Sequence, residues 1–307
     1  MARRPVIRVA LALMLLAGPA AQATPVAPPR QTAPAPTRPA PRKTAPPPAK
    51  PAAATAQPAV DEPPVLPVDE QLVFLERARI VESKPIGKGT TGALRVTLSN
   101  GTLTHDAAFN SVAEEPRLDG RKRLGEMRFV DHYRYNIAAW RIAGLLGLGP
   151  MMPATVERKV NGRNGALSWW VDGVLMDEAE REAKDIQPTN SRRFAEDRLR
   201  MLLFAELVRD IDRNKGNVVY TKGWGVVMLD FTRSFRLETA LRPAGMVTRC
   251  DRRMLAEMRT LTREAVEEAV EEYLTSDEIK AMMTRRDLLV AHFDKLVAER
   301  GDSVVFF

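Results

Sequence analysis

The stretch that decides the fold of this chain is Asp210-Ile211-Asp212-Arg213-Asn214-Lys215-Gly216-Asn217. It follows an apolar run with helical spacing, and it places two carboxylates and a carboxamide in a polar turn. Two short apolar segments, 218–220 and 226–229, then indicate a β-hairpin that ends at Asp230-Phe231. Pairing of these two strands would bring Asp212, Asn217 and Asp230 to one edge.

Side chains of these three types suit phosphoryl transfer. A carboxylate at Asp212 would orient an attacking hydroxyl group, while Asn217 and Asp230 would hold a divalent metal ion. The competing interpretation is an Asx-rich turn, in which the same groups bond only to nearby backbone. The complete series of helix, loop, hairpin and Asp-Phe favours the phosphoryl-transfer site.

Asp212-Arg213 with Asn217, followed by Leu229-Asp230-Phe231, resembles the catalytic and metal loops of atypical kinases. The resemblance is to the phosphatidylinositol-kinase-like and secreted Golgi-kinase branches of the protein-kinase-like fold, and it covers most of residues 78–240. It implies a two-lobed α+β fold, with a small antiparallel sheet lobe followed by a mainly helical lobe. It also implies binding of ATP or another nucleotide, together with Mg²⁺ or Mn²⁺.

A glycine-rich motif, Gly87-Lys88-Gly89-Thr90-Thr91-Gly92, lies between two segments with strand character. The loop that covers the nucleotide phosphates in a kinase occupies this position. Glycines in an ordinary tight turn would give the same pattern, so both interpretations stay open. The candidate nucleotide-binding residues are Gly87, Lys88, Gly89 and Gly92.

The ion pair that kinases use to hold the nucleotide phosphates is missing from this sequence. Asn110 stands where the resemblance implies a Lys, and Asn136 stands where related atypical kinases have Glu. The two amides are able to hydrogen-bond to each other, but neither supplies a cation. Lys88 and Arg95 are candidate substitutes for that cation.

Three classes of function stay open on these grounds. The first is a kinase-like enzyme that phosphorylates a protein, lipid or small-molecule hydroxyl. The second is a catalytically inactive, pseudokinase-type binding module. The third is a structural wall-associated protein in which the polar residues only form turns.

Apolar periodicity predicts further strands and helices along the rest of the chain. Alternating apolar residues predict further strands at 78–81, 93–98, 102–112, 153–158 and 166–171. Pro188-Thr189-Asn190-Ser191 predicts the cap of a long helix that leads into the catalytic stretch. Beyond Asp251, apolar spacing predicts four helices, at 254–261, 262–274, 276–283 and 286–298. The pair Arg285-Arg286 indicates either a solvated helix start or an anion site.

The amino terminus has the pattern of a secretory signal peptide. Three arginines precede the apolar run 9–17, and Ala21-Gln22-Ala23 is a small-x-small cleavage site. We therefore expect residues 1–23 to be removed and the protein to reach the periplasm, the cell envelope or the medium. The apolar run is too short to span a bilayer, so we expect no transmembrane segment in the mature chain.

Residues 24–67 contain fifteen prolines in 44 positions, which predicts a disordered, semi-rigid tether. The tether would present a kinase-like domain, 68–307, to a partner at the cell envelope; a leader without a partner is the alternative. Within the domain we expect the sheet lobe at 68–172 and the helical lobe at 173–307.

The charge and the cysteine and histidine content argue against a nucleic-acid partner, an intrachain disulfide and a Cys/His metal cluster. The first 67 residues carry +6 of the net charge of +7, so the domain has no basic excess and we expect no nucleic-acid partner. Cys250 is the single cysteine, so no intrachain disulfide can form. The three histidines are widely spaced and give no Cys/His metal cluster.

We expect the exported protein to begin at Thr24, because signal peptidase cleaves after the small residue that ends such a motif. Mass spectrometry of the intact protein from the exported fraction measures this terminus directly. An exported chain that still begins at Met1 or Ala2 would contradict the signal-peptide interpretation.

Overall fold

A computed structural model describes residues 66–87, 92–114, 130–242 and 247–307. The helices in these ranges are α1 (Val68–Arg77), α2 (Arg134–Leu145), α3 (Glu178–Ala183), α4 (Ser191–Leu207), α5 (Arg252–Thr260), α6 (Arg263–Val270), α7 (Ser276–Arg300) and α8 (Asp302–Val305). The strands are β1 (Arg79–Pro85), β2 (Leu94–Ser99), β3 (Thr104–Asn110), β4 (Ala113–Glu114), β5 (Asp131–His132), β6 (Thr155–Val160), β7 (Arg163–Trp169), β8 (Val174–Asp177), β9 (Val218–Thr221) and β10 (Val226–Met228). The predicted signal peptide, the tether up to residue 65, and Lys88 with Gly89 lie outside the described residues.

An antiparallel sheet of five strands forms the first lobe, in the order β1-β2-β3-β7-β6. Each of its strands corresponds to one of the five predicted segments. Alternate residues of β2 and β3 point to one buried face, and α1 covers that face with Phe74 and Leu75. Asn100-Gly101 forms the turn between β2 and β3, where Gly101 has a φ of +94° that suits glycine. Helix α1 was not predicted, because it is short and its apolar residues are interspersed with charged ones directly before strand β1.

The second lobe contains the larger hydrophobic core, to which α2, α4, α5, α6 and α7 contribute. Helix α4 begins where the sequence predicts, and the Asn190 side chain caps it by accepting from the backbone N–H of Arg193 at 3.1 Å. Helix α2 buries Tyr135 and Ile137 in this core, while Trp140 packs against the cores of both lobes. Helix α2 therefore joins the sheet lobe to the helical lobe.

A three-stranded sheet of order β10-β9-β8 contains the two strands that follow the stretch 210–217. Strands β9 and β10 form the predicted hairpin, with Val219 opposite Val227. Strand β8 was not predicted, because it is a short edge strand whose Val174 and Leu175 are exposed. Along the described residues, no helix combines the length and the apolar character that a membrane span requires.

The two predicted helices 276–283 and 286–298 form one continuous helix, α7. The prediction of a break was wrong because the charged pair at its centre contains neither Gly nor Pro, so nothing interrupts the helix. Both interpretations of Arg285 were also wrong, because its side chain is fully buried. It donates to the carbonyl oxygens of Leu207, Arg236 and Glu238, each at 2.8 Å. Burial lowers the pKa of Arg285 to about 10, which still leaves it charged at neutral pH.

We expect Arg285→Met to lower the free energy of unfolding by about 3 kcal/mol, because three buried carbonyl oxygens lose their charged donor. Urea denaturation of the full chain measures the change. Lys295→Met is the matched control on the same helix: its side chain is exposed, and we expect a change within about 0.5 kcal/mol. Equal effects of the two substitutions would contradict the structural role of Arg285.

Candidate functional site

The guanidinium of Arg213 is the centre of the candidate site. Its Nε donates to Asp210 Oδ2 at 2.7 Å. Its Nη1 and Nη2 donate to the carbonyl oxygens of Asn217 and Asp230, at 3.2 and 2.8 Å. Nη1 also donates to the carbonyl oxygen of Leu229. One side chain thus joins the turn after α4 to the end of the β9–β10 hairpin.

Phe231 fixes the same region from the core side. Its ring is buried, lies 4.0 Å below the Arg213 guanidinium and meets the edge of Phe204 with ring centroids 5.5 Å apart. Its backbone N–H donates to Asn136 Oδ1 at 2.5 Å. Helices α2 and α4 therefore both contact the Asp-Phe dipeptide.

Asp212 lies at the open side of the site, with a side chain that is 40% exposed. Its backbone N–H donates to Asp210 Oδ1 at 3.0 Å, so the buried carboxylate of Asp210 orders the turn. Its carboxylate Oδ2 accepts from Arg233 Nη1 at 2.8 Å. The carboxylate is thus accessible and held by a cation.

Hydrogen bonds hold Asn217 next to the end of the hairpin that carries Asp230. Asn217 Nδ2 donates to the carbonyl oxygen of Asp212 at 3.3 Å, which leaves the side-chain amide oxygen of Asn217 as an acceptor. The backbone carbonyl oxygen of Asn217 accepts from Leu229 N at 2.8 Å. Asp230 has a φ of +53°, and its Oδ1 accepts from Thr232 N and Oγ1 at 3.2 and 2.9 Å. A non-glycine residue in this left-handed region carries backbone strain, as residues at functional sites often do.

Burial raises the pKa of the Asp230 carboxyl group above its ordinary value. The charge of Asp131 adds to this effect, whereas the hydrogen bonds from Thr232 and the charge of Arg213 oppose it. The Asp230 carboxyl group therefore combines an exposed position with a pKa that lies above its ordinary value.

The structure adds two residues, Asp131 and Arg233, that sequence reasoning missed. Asp131 is only 2% exposed, and its Oδ2 accepts from Arg233 Nε at 2.7 Å. Arg233 therefore bridges Asp131 and Asp212. The position of Arg233, three residues after Asp230, was a usable signal for it. Asp131 offers no comparable signal, because it belongs to the short strand β5 and not to any motif.

The glycine-rich motif is described only at its ends. Gly87 and Gly92 have φ values of +71° and +65°, and an added Cβ at either position would meet no atom within 4 Å. Backbone conformation, and not crowding, is therefore the reason for glycine at these two positions. Lys88 and Gly89 lie outside the described residues, so the phosphate-covering role of the motif stays a prediction.

The two amides that replace the kinase ion pair have separate backbone partners. Asn110 Oδ1 accepts from Val112 N at 2.9 Å, and Asn136 Oδ1 accepts from Phe231 N. Among the residues that the structure describes, no hydrogen bond joins Asn110 to Asn136. The amide–amide hydrogen bond that the sequence left possible is therefore not formed, and each Oδ1 accepts from a backbone N–H instead.

Arg95, one candidate for the missing cation, is already paired. Its Nε donates to Asp106 Oδ2 at 2.6 Å, and its guanidinium lies 4.3 Å from the centroid of a Trp170 ring. Asp106 also accepts from Thr97 Oγ1 at 2.6 Å. The charge of Arg95 is therefore neutralised on the sheet.

The donor set fits a hard divalent ion. The Asp230 carboxylate and the Asn217 amide oxygen are both oxygen ligands of the kind that Mg²⁺ and Mn²⁺ prefer. Asp131 Oδ1 is buried without a hydrogen-bond partner, so a polar group in this region has spare capacity. Within the described part of the chain, no group of three or more His, Cys, Asp or Glu side chains is placed to hold a metal. An ion at Asp230 and Asn217 would therefore need water or phosphate oxygens as further ligands.

No protein-family model matches this chain, and no curated protein matches it. Solved structures do match it. The structure of hydra Fam20 with sugar aligns with a TM-score of 0.58 and 16% identity, over 78% of this chain and 92% of that chain. The Golgi casein kinase with Mn/ADP bound aligns with a TM-score of 0.57 and 12% identity, over 78% of each chain. A further crystal structure of the Golgi casein kinase gives 0.57 and 13%, again over 78% of each chain.

These alignments show that the chain has the atypical protein-kinase-like fold. The prediction of a two-lobed α+β fold, with an antiparallel sheet and a helical region, is confirmed. At these identities the likeness concerns the fold. The roles of Asp212, Asn217 and Asp230 stay predictions, although the structure brings the three residues together.

We expect Asp230→Asn to stabilise the metal-free protein at neutral pH by about 0.5 kcal/mol or less, because it removes an exposed carboxylate whose charged form is disfavoured by the nearby charge of Asp131. The folded-state pKa of Asp230 is raised, so folding is favoured most below the ordinary pKa of 3.8 and loses stability as pH rises through the raised pKa. The gain from the substitution should therefore be absent at low pH and present at pH 7. Urea denaturation in EDTA across this range measures it, and a pH-independent difference would contradict the raised pKa of Asp230.

Proposed function

We propose that this chain is an exported kinase-like protein that binds ATP or another nucleotide with Mg²⁺ or Mn²⁺ and transfers a phosphoryl group to a hydroxyl acceptor. The observation that carries this proposal is the contact set of Arg213, which holds the backbone of Asn217 and Asp230 beside Asp212. A turn that only satisfied its own backbone would not need a buried cation between two segments of chain. The fold that the chain shares with a kinase whose structure has Mn/ADP bound supports the same ligands.

Each residue of the site has a role in this mechanism. The exposed carboxylate of Asp212 would orient the acceptor hydroxyl and take its proton. The Asp230 carboxylate and the Asn217 amide oxygen would hold the divalent ion, which offsets phosphate charge when it is bound. Gly87 and Gly92 would let the backbone of the glycine-rich motif turn closely over the phosphates, together with Lys88 and Gly89.

Export is part of the proposal and rests on the sequence. The signal-peptide pattern at 1–23 supports secretion, and the proline-rich segment 24–67 supports presentation of the domain at a distance from an envelope surface. The acceptor would then be an extracytoplasmic hydroxyl on a protein, a lipid or a small molecule.

A second candidate is a pseudokinase-type binding module on the same fold. Asn110 and Asn136 favour it, because both amides bond to backbone and neither provides the charge of a Lys–Glu pair. Such a module would bind nucleotide and metal without turnover. Nucleotide hydrolysis or transfer by the parent protein separates the two candidates.

Asp230→Asn should abolish metal-dependent nucleotide binding, because it removes the charged ligand of the ion. Asp212→Asn should spare binding and remove only transfer, since that carboxylate faces the acceptor. Calorimetry of the full chain with ATP and Mg²⁺ or Mn²⁺ measures binding, and release of labelled phosphate measures turnover.

Asp287→Asn, an exposed position on α7, is the matched control and should change neither quantity. If the parent gives no binding heat with either metal, the proposed function is wrong. If the parent binds but shows no turnover with any hydroxyl acceptor tried, the pseudokinase-type module is the better description.

A further inference from the structure

The basic side chains near the candidate site are largely committed to other partners. Three of them in the described residues have carboxylate counter-ions on their own structural elements or on neighbouring ones. These pairs are Arg213 with Asp210, Arg95 with Asp106, and Lys215 with Glu182. None of the three pairs includes Asp212 or Asp230. What sets Arg233 apart from these three cations is therefore its contact with Asp212, not a lack of carboxylate partners.

Arg233 is the basic side chain that contacts the candidate catalytic carboxylate. Its Nη1 lies 2.8 Å from Asp212 Oδ2, and its Nε lies 2.7 Å from Asp131 Oδ2. It follows Asp230 by three residues, and the charge of Asp230 also acts on it. Arg233 therefore lies among all three carboxylates of the site.

The two carboxylates that hold Arg233 differ in their access to solvent. Asp131 is 2% exposed, whereas Asp212 is 40% exposed. The buried carboxylate fixes the Nε side of the guanidinium, and the other side faces the open part of the site. A guanidinium presented in this way is suited to phosphate, because its planar fork matches the oxygens of an oxyanion.

The local charge makes such a cation necessary. Asp131, Asp210, Asp212 and Asp230 contribute four negative charges, against the two positive charges of Arg213 and Arg233. A nucleotide triphosphate approaching this site would be repelled unless a divalent ion and the guanidinium both offset its charge. With the Lys absent, loss of Arg233 would leave the metal alone in that role among the described residues.

We propose that Arg233 is a catalytic residue that contacts the nucleotide phosphates in place of the missing Lys, and that Asp131 is the positioning residue that aims it. This inference rests on the proposed function, and it assigns the phosphate-binding cation to Arg233 instead of Arg95. Contact with the phosphate would draw the guanidinium partly away from Asp212. That carboxylate would then be available to the acceptor hydroxyl only when nucleotide is bound.

Calorimetry of the full chain tests the proposal with two titrations, Mn²⁺ alone and ATP in the presence of Mn²⁺. Arg233→Ala should weaken ATP binding about 10- to 100-fold, the loss of one charged hydrogen-bonded contact. Binding of Mn²⁺ alone should be unchanged or tighter, because a cation leaves the neighbourhood of Asp230. Damage to the fold would weaken both titrations, so the opposite responses are specific to a phosphate contact.

Three further variants sharpen the test. Arg233→Lys keeps the charge without the fork and should give intermediate ATP affinity. Arg259→Ala removes an arginine from an exposed ion pair with Asp294 and is the matched control, with no expected change. Arg233→Ala combined with Asp131→Asn removes the buried charge that the single variant leaves unpaired, and so preserves folding.

A double-mutant cycle isolates the role of Asp131. If this residue acts only through Arg233, Asp131→Asn should weaken ATP binding in the parent and have no further effect in the Arg233→Ala background. A separate structural role would persist in both backgrounds, and that result would overturn the assignment of Asp131.

The outcomes distinguish this inference from the proposed function. A parent that binds ATP with Mn²⁺, and an Arg233→Ala variant that binds it equally well, would overturn the role of Arg233 and leave the proposed function intact. Unchanged affinity with faster turnover would show that Arg233 blocks Asp212, which also overturns the proposal. A parent that binds no nucleotide with either metal would overturn both the proposed function and the inference.

Discussion

The site depends on one buried ion pair, between Arg213 and Asp210. The Arg213 side chain is 10% exposed and that of Asp210 is 1% exposed, so both charges have lost most of their hydration. A desolvated guanidinium is tolerated only if its donors are satisfied, and here backbone carbonyls of the hairpin end complete the set. If the turn 210–217 moved away from the hairpin, the buried guanidinium of Arg213 would lose its carbonyl acceptors. The free-energy cost of that loss holds the backbone of Asn217 and Asp230 in place without any bound ligand.

A second buried arginine, Arg285, contacts the chain just before the stretch 210–217. Arg285 donates to the carbonyl oxygen of Leu207 at the carboxyl end of α4, where the helix dipole favours a cation. The stretch from Leu207 to Asp230 therefore lies between two buried cations. Asn136, on α2, adds an uncharged hydrogen bond by accepting from the backbone N–H of Phe231.

Local patterns account for what could be predicted of the site and the fold. Asp212, Asn217 and Asp230 were found because helix spacing, turn residues and a short hairpin bring them together within about twenty residues. The strands of the first lobe and the Asn190 cap of α4 were predicted for the same reason, since both depend on residues that are close in sequence. The buried position of Arg285 and its unbroken helix were misread, because sequence charge indicates a solvated position unless distant acceptors are known.

The sequence by itself predicted the five strands of the first sheet, the β9–β10 hairpin and the three polar residues Asp212, Asn217 and Asp230, because these follow from local periodicity and turn chemistry. The two-lobed fold was implied by the resemblance to atypical kinases. Only the tertiary structure decided which charges meet. Asp131 and Arg233 pair across 102 residues, and Arg285 reaches a carbonyl 78 residues away. No repeating pattern in the sequence indicates such contacts, since they depend on how the packed helices bring distant segments of the chain together. The charge balance of the site is therefore a property of the folded chain.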